Sequence, residues 1–143
     1  MKTTRVKDFM EDHIEMIPAM ATLQDAARKM EEADCGFLPV GTPGKPEGII
    51  TDRDIVIRAV ARGKDPAKEK VKDYMTHSIH TCAKNLTLEE AASLMNEKKV
   101  GRLVVQDESG KACGVLSFGR IIRKGNNPEE VSSVVQCATG KAA

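Results

Sequence analysis

Apolar residues recur in two stretches of the chain with the spacing that forms one face of an α-helix. The i, i+3, i+4, i+7 sets are Leu23, Ala26, Ala27 and Met30, and Leu88, Ala91, Ala92 and Met95. Thr22-x-x-Asp25 and Thr87-x-x-Glu90 stand immediately before the two sets, in the pattern of a capping box. We therefore predict two helices that begin after Thr22 and Thr87, each burying its apolar face.

Short apolar runs between turn-forming residues predict strands. They lie at 14–17, 37–40, 48–51, 102–106 and 112–116. A helix over 54–62 is predicted to bury Ile55, Val56, Ala59 and Val60 and to stop at Gly63, and a last helix to run from Pro128 to about Cys137 with Asn127 as its cap.

These elements occur in the same order twice, because the sequence itself repeats. Val6-Lys-Asp-Phe-Met10 returns as Val71-Lys-Asp-Tyr-Met75, and 14 of the 35 positions from Val6 to Val40 are identical 65 residues later. After Val40 the shift becomes 66 residues. We predict an α/β fold of two pseudo-symmetric repeats, each roughly β-α-β-β-α. The predicted segments are repeat 1 over 1–65, repeat 2 over 66–124 and a C-terminal helix and tail over 125–143.

Composition narrows the class of protein. The chain has 143 residues, a formal net charge of +1 and only 3% aromatic residues, which gives no argument for nucleic-acid binding. No stretch approaches the ~18 apolar residues of a membrane span, so we expect no membrane partner and a cytoplasmic location. No Ser/His/Asp set or carboxylate pair is arranged for catalysis, and we predict that the protein is not an enzyme.

The candidate chemistry lies at Thr51-Asp-Arg-Asp54, where a predicted strand ends and a helix begins. Backbone amides and the helix dipole at such a point favour an anion. Thr51 offers a hydroxyl and Arg53 a charged donor to a phosphate, and Asp54 can accept hydrogen bonds from a ribose diol. The same Thr-x-x-Asp spacing is also that of a simple capping box. The spacing alone does not decide between a ligand site and a simple capping box.

The repeated unit, the Leu-Pro-Val strand and Gly-Ile-Ile-Thr-Asp-Arg-Asp-Ile resemble tandem CBS domains, the regulatory modules of IMP dehydrogenase, chloride channels and the gamma subunit of AMP-activated kinase. The resemblance covers the chain from about Lys7 to Ile122. It implies a stand-alone CBS pair, similar to small proteins of the hypoxic-response type. In that family the two repeats pack as one pair, and adenosine nucleotides bind in the clefts between them.

Carried over to this sequence, the resemblance assigns phosphate to Thr51 and ribose to Asp54. It places Ile17 and Pro39 as walls for the base. The implied ligand is a nucleotide such as AMP, ADP or ATP, with no prosthetic group.

The second copy departs from the family pattern. Ser117 matches the hydroxyl position, and Arg102 matches a position that often reaches phosphate, but Arg120 replaces the ribose-binding Asp. Ribose recognition is therefore in doubt there. Arg120 either attracts additional phosphate charge or pairs with a surface carboxylate.

We thus expect a regulatory sensor that binds an adenosine nucleotide, changes conformation and signals to an unknown downstream protein. CBS pairs commonly form homodimers, and an apolar face on the helix over 54–62 would suit such an interface. One alternative is an interaction or stress-response protein that keeps the CBS shape without a ligand. Another is a redox or metal-responsive module that uses cysteines and histidines, although no Cys-x-x-Cys pair is present; these residues are Cys35, Cys82, Cys113, Cys137, His13, His77 and His80.

Overall fold

A computed structural model describes residues 4–140, which form six α-helices and five β-strands. The elements are α1 (Val6–Phe9), α2 (Leu23–Ala33), β1 (Phe37–Thr42), β2 (Lys45–Thr51), α3 (Asp52–Asp54), β3 (Thr81–Ala83), α4 (Leu88–Lys98), β4 (Arg102–Gln106), β5 (Ala112–Ser117), α5 (Phe118–Lys124) and α6 (Pro128–Thr139). This mixture of helices and small sheets confirms the α/β prediction.

The chain divides into two compact units that do not follow the predicted boundaries of the repeats. The first unit is Glu15–Ile79, and the second combines the residues up to Ile14 with those from His80 onward. The predicted segments 1–65 and 66–124 therefore describe the repeat in the sequence. In the structure, the N-terminal motif of each copy, 6–10 or 71–75, packs on the other copy.

Equivalent hydrogen bonds in the two units show that each N-terminal motif contacts the other copy. In the first unit the amide of Val71 donates to the Ala21 carbonyl at 2.8 Å. In the second unit the amide of Val6 donates to the Leu86 carbonyl at 2.8 Å. Each motif also lies against a strand glycine. A Cβ on Gly48 would lie 2.6 Å from the Thr76 oxygen.

The first unit is built on an antiparallel pair, β1 and β2, with a register shift between Val40 and Gly41. Its core contains Leu23, Leu38 and Ile50, none of which is exposed. The predicted strand over 14–17 is wrong. Ile17 makes only a single parallel bridge to Val40.

The second unit has three strands in the order β3-β4-β5, with β3 parallel to β4 and β5 antiparallel to it. Leu88, Leu103 and Leu116 are fully buried in its core. The predicted Asn127 cap is confirmed, since its Oδ1 accepts hydrogen bonds from the amides of Glu129 and Glu130, and α6 packs against α4.

The capping boxes of α2 and α4 form as predicted. Thr22 Oγ1 accepts the amide hydrogen of Asp25 at 3.0 Å, and the Asp25 carboxylate accepts that of Thr22 at 3.1 Å. This hydrogen bond from the Thr22 backbone lowers the pKa of Asp25. Ala27, predicted to be buried, is exposed, whereas its counterpart Ala92 is fully buried in the core that α6 helps to form.

Helical structure continues beyond α3 as a π-helical turn, Ile55–Ala59, and a 3-10 turn, Val60–Arg62, and it ends at Gly63 with φ +72°. We call 52–62 the α3 segment. Ile55 and Ala59 are buried as predicted. The prediction for Val56 and Val60 is wrong, since each side chain is 54% exposed.

None of the helices in the described part of the chain has the length and apolar character that crossing a membrane requires.

Candidate functional site

The turn from β2 into the α3 segment brings the side chains of Thr51 and Asp54 together. Thr51 Oγ1 accepts the amide hydrogen of Asp54 at 3.0 Å, and Asp54 Oδ2 accepts the amide hydrogen of Thr51 at 3.0 Å. Both residues are half-buried. Within residues 4–140, no hydrogen bond reaches Asp54 Oδ1. The capping box is thus formed, and one carboxylate oxygen remains available to a ligand.

The backbone amides of this turn are not open to an anion, contrary to the expectation from its place at a helix start. The amide of Asp52 donates to the Gly36 carbonyl at 2.9 Å, and the amide of Arg53 donates to Asp52 Oδ1 at 2.8 Å. The amides of Thr51 and Asp54 are used by the capping box. All four amides therefore have acceptors within the unit, so a phosphate would rely on the exposed Arg53 side chain and the Thr51 hydroxyl.

The predicted apolar walls also meet. The amide of Ile17 donates to the Pro39 carbonyl at 3.1 Å, which places the two residues side by side. Ile17 is only 3% exposed and packs in the core of the first unit. A ligand would therefore reach Ile17 through its backbone rather than its side chain.

Two residues beside this turn were missed in the sequence. In the β1–β2 register Phe37 pairs with Thr51, and Pro39 pairs with Ile49. Because side chains alternate along a strand, these four lie on the face opposite the core residue Leu38. Phe37 and Ile49 are half-buried. The run Phe37-Leu-Pro-Val40 is apolar throughout, so no alternation of polar and apolar residues in the sequence separated this face from the core face.

In the equivalent turn of the second unit, Arg120 makes hydrogen bonds and an ion pair with other residues of the same unit. Ser117 Oγ accepts the amide hydrogen of Arg120 at 3.1 Å. The Arg120 Nε donates to the Phe9 carbonyl at 2.7 Å, and its Nη1 lies 3.2 Å from Glu11 Oε2. Of the two interpretations of Arg120, the structure therefore contains the pairing with a carboxylate. Arg102 is the register partner of Ser117 across β4 and β5.

The cysteines are dispersed. Burial raises the pKa of the Cys82 thiol to about 11, which disfavours the reactive thiolate at neutral pH. Cys35 donates a hydrogen bond to the Phe37 carbonyl at 3.3 Å. In the described ranges, no group of three or more His, Cys, Asp or Glu side chains is placed to hold a metal ion.

Comparisons with known proteins point to one family. The model of the CBS domain matches residues 6–60 and 71–126. Hypoxic response protein 1 of Mycobacterium tuberculosis is 32% identical over 121 residues, which cover 84% of each chain. Nucleotide binding is typical of CBS pairs as a class.

Two solved structures share this fold. The crystal structure of Hypoxic Response Protein I with two coordinated zinc ions has a TM-score of 0.72 and 30% identity, covering 85% of this chain and 98% of that one. A hexameric CBS-CP12 protein from bloom-forming cyanobacteria has a TM-score of 0.77 and 26% identity, covering 87% of this chain and 69% of that one. With both repeats matched by the family model, the chain belongs to the CBS domain family and carries two CBS domains.

Proposed function

We propose that this protein is a regulatory module that binds an adenosine nucleotide, such as AMP, ADP or ATP, at the Thr51–Asp54 turn of the first unit. The observation that carries the proposal is the juxtaposition at this turn. A half-buried carboxylate with one oxygen available stands beside a hydroxyl and next to an apolar strand face. A ribose diol needs an acceptor, and an adenine ring needs an apolar surface, so this arrangement suits a nucleoside.

The two units differ in what they offer such a ligand. Asp54 supplies the acceptor in the first unit, whereas Arg120 stands at that position in the second and is engaged by Glu11 and Phe9. A buried diol left without its acceptor loses about 1–3 kcal/mol. We therefore propose at most one tight adenosine-nucleotide site in each chain, centred on Asp54.

Calorimetry and thermal unfolding of the purified protein test this proposal. A screen of AMP, ADP, ATP, NAD, S-adenosylmethionine and GMP should identify a ligand that, at 100 times its Kd, stabilises the fold by about 2.7 kcal/mol. Asp54→Ala should abolish that stabilisation. Two equal sites in each chain, or unchanged binding by Asp54→Ala, would contradict it.

Because Asp54→Ala also removes a capping interaction, it needs a matched control. Asp25→Ala removes the same capping-box carboxylate at the start of α2, in the same unit. Each substitution should lower the melting temperature by a similar amount. Only Asp54→Ala should lose the nucleotide response.

The second candidate function is a ligand-free interaction or stress-response protein, and the exposed apolar side chains of the α3 segment favour it. Val56, Ile57 and Val60 are 54%, 48% and 54% exposed. Side chains of this kind often form contacts with another chain. Absence of a thermal shift with every nucleotide of the screen would favour this second function.

The same apolar side chains support our proposal of a homodimer. A hexamer is named for the related CBS-CP12 protein, so self-association occurs in the family. Light scattering at micromolar concentrations should report a dimer. A monomer throughout that range would reject it.

A further inference from the structure

An arginine of the α3 segment, Arg58, contacts a neighbouring segment of the first unit that we call the Tyr74 segment, residues 71–76. Arg58 is half-buried. Its Nη1 donates a hydrogen bond to the Tyr74 carbonyl, and its guanidinium carbon lies 5.7 Å from the centroid of the Tyr74 ring. A cation at this distance over an aromatic ring is attracted to it. Arg58 therefore contacts both the backbone and the ring of Tyr74, which is only 9% exposed.

The Tyr74 segment also pairs with β2, the strand that leads into the candidate nucleotide site. The amide of Ile49 in β2 donates to the Thr76 carbonyl at 2.9 Å, and the Thr76 amide donates to the Ile49 carbonyl at 2.8 Å. The Tyr74 segment is thus held at two points, by β2 and by Arg58. The turn at 51–54, which we call the site turn, connects β2 to the α3 segment and so lies between these two points in the chain.

The second unit holds its equivalent segment with an arginine at a different position. The Phe9 carbonyl, at the position of Tyr74, accepts a hydrogen bond from Arg120 Nε at 2.7 Å. Arg120 stands at the position of Asp54, whereas Arg58 follows Asp54 by four residues. Both units therefore make the contact with the carbonyl. In the first unit it is made from outside the position proposed to bind ribose, so the contact and a bound nucleotide are compatible.

The α3 segment connects Asp54 directly to Arg58. Asp54 ends α3, and the π-helical turn that follows, Ile55–Ala59, contains Arg58. Turns of this kind are rare and are found frequently at functional sites. Thr51 caps the segment by accepting the Asp54 amide hydrogen at 3.0 Å. A change at the cap therefore acts on the helical turns that carry Arg58.

We propose that Arg58 is a positioning residue that couples the site turn to the Tyr74 segment, so that a ligand bound at the turn makes this segment less mobile. The chain passes from the Tyr74 segment to His80, where the second unit resumes. In taking the ligand to be an adenosine nucleotide, the proposal rests on the function proposed above. The coupling uses the half-buried Arg58 and leaves the exposed apolar side chains of the α3 segment for contacts between copies of the chain.

The first test needs no nucleotide. Thr51→Ala removes the capping hydroxyl, and hydrogen exchange of the Tyr74, Met75 and Thr76 amides, all hydrogen-bonded in the first unit, is measured in the full chain. Loss of a cap should quicken this exchange by about fivefold in the parent protein. Arg58→Met removes the guanidinium donors and keeps an apolar side chain. In that background Thr51→Ala should change the exchange by less than about twofold.

Arg62→Met is the matched control for Arg58→Met. Arg62 lies in the same α3 segment, and its replacement removes the same charge, but its side chain is exposed. In this background Thr51→Ala should quicken the exchange as it does in the parent protein. Melting temperatures verify that each variant is folded under the conditions of the exchange measurement.

The second test adds AMP or ATP. A nucleotide that binds in calorimetry should slow exchange of the same amides by about fivefold or more in the parent protein and in Arg62→Met. Arg58→Met should bind it with a Kd within about threefold of the parent value and show less than about twofold slowing. A purely structural role of Arg58 would instead change the exchange by the same factor with and without nucleotide.

Four results would overturn the proposal. These are unchanged exchange of the Tyr74 segment in Thr51→Ala, a response that persists in Arg58→Met, nucleotide binding without slower exchange in the parent protein, and a larger loss of affinity in Arg58→Met. The last would make Arg58 a ligand-binding residue. Absence of binding of both nucleotides to the parent protein would contradict the proposed function instead, and the first test would then decide the coupling.

Discussion

Removal of the Arg120 side chain tests whether that residue holds the structure or serves a ligand. Its Nε donates to the Phe9 carbonyl at 2.7 Å, and its Nη1 pairs with Glu11 at 3.2 Å. The side chains of the pair are 27% and 50% exposed, so the ion pair itself is worth about 0.2–1 kcal/mol. A hydrogen bond from a charged donor contributes about 1.5–3 kcal/mol. Arg120→Ala should therefore destabilise the protein by about 2–3 kcal/mol.

Urea denaturation measures this loss, and a double-mutant cycle apportions it. Glu11→Gln should cost less than about 1 kcal/mol, with a coupling to Arg120→Ala of similar size. Arg123→Ala, three residues along on an exposed side chain, should stay within about 0.5 kcal/mol of the parent. Hydrogen exchange of α1 should quicken in Arg120→Ala alone. If stability is unchanged while ATP binding falls, Arg120 serves phosphate and the structural interpretation is wrong.

Three further outcomes are expected. Gly48→Ala should lower the free energy of unfolding by about 1–3 kcal/mol in urea denaturation, because its Cβ would lie 2.6 Å from a backbone oxygen. Gly101→Ala is the control and should have no such effect, since no atom lies within 4 Å of its Cβ position. Equal effects of the two substitutions would contradict this prediction. Lys99→Gly should raise stability by about 0.5–1 kcal/mol because Lys99 ends α4 at φ +57°, and an unchanged or lower melting temperature would count against it. Cys82, with a pKa raised to about 11, should resist alkylation at pH 8, and stability should fall between pH 9 and 11 because only the unfolded thiol then loses its proton. Alkylation of the native Cys82 at the rate of an unfolded control would show that it is not buried.

Features that depend on neighbouring residues were predictable from the sequence. The caps at Thr22, Thr51 and Thr87 need only a side chain three residues away, and all three formed. The predicted strand over 14–17 failed for a local reason as well. A turn begins directly after Ile17, in which the Pro18 carbonyl accepts the amide hydrogen of Ala21, whereas the counterpart segment continues to Ala83 as the strand β3.

Features that depend on distant partners were not predictable. The partner of Arg120 lies 109 residues away, so its spacing could not decide between phosphate and carboxylate. The repeat in the sequence also did not show which copy each N-terminal motif contacts. Gly48 and Gly114 were the available signal, since a glycine within a strand marks a close approach of other atoms. Their Cβ positions would meet Thr76 and Met10.

The same asymmetry between the copies appears at two separate places, and this argues for a division of roles. In the second unit Arg120 of the turn is engaged by Glu11 and Phe9, and α6 packs on α4. In the first unit Asp54 keeps an available oxygen, and Ala27 of α2 and Val56 of the α3 segment are exposed. In the second copy these positions contribute to stability, because Arg120 and α6 make contacts within their own unit. Under the function proposed above, the first copy supplies the nucleotide site and the second copy supplies contacts that stabilise its own unit.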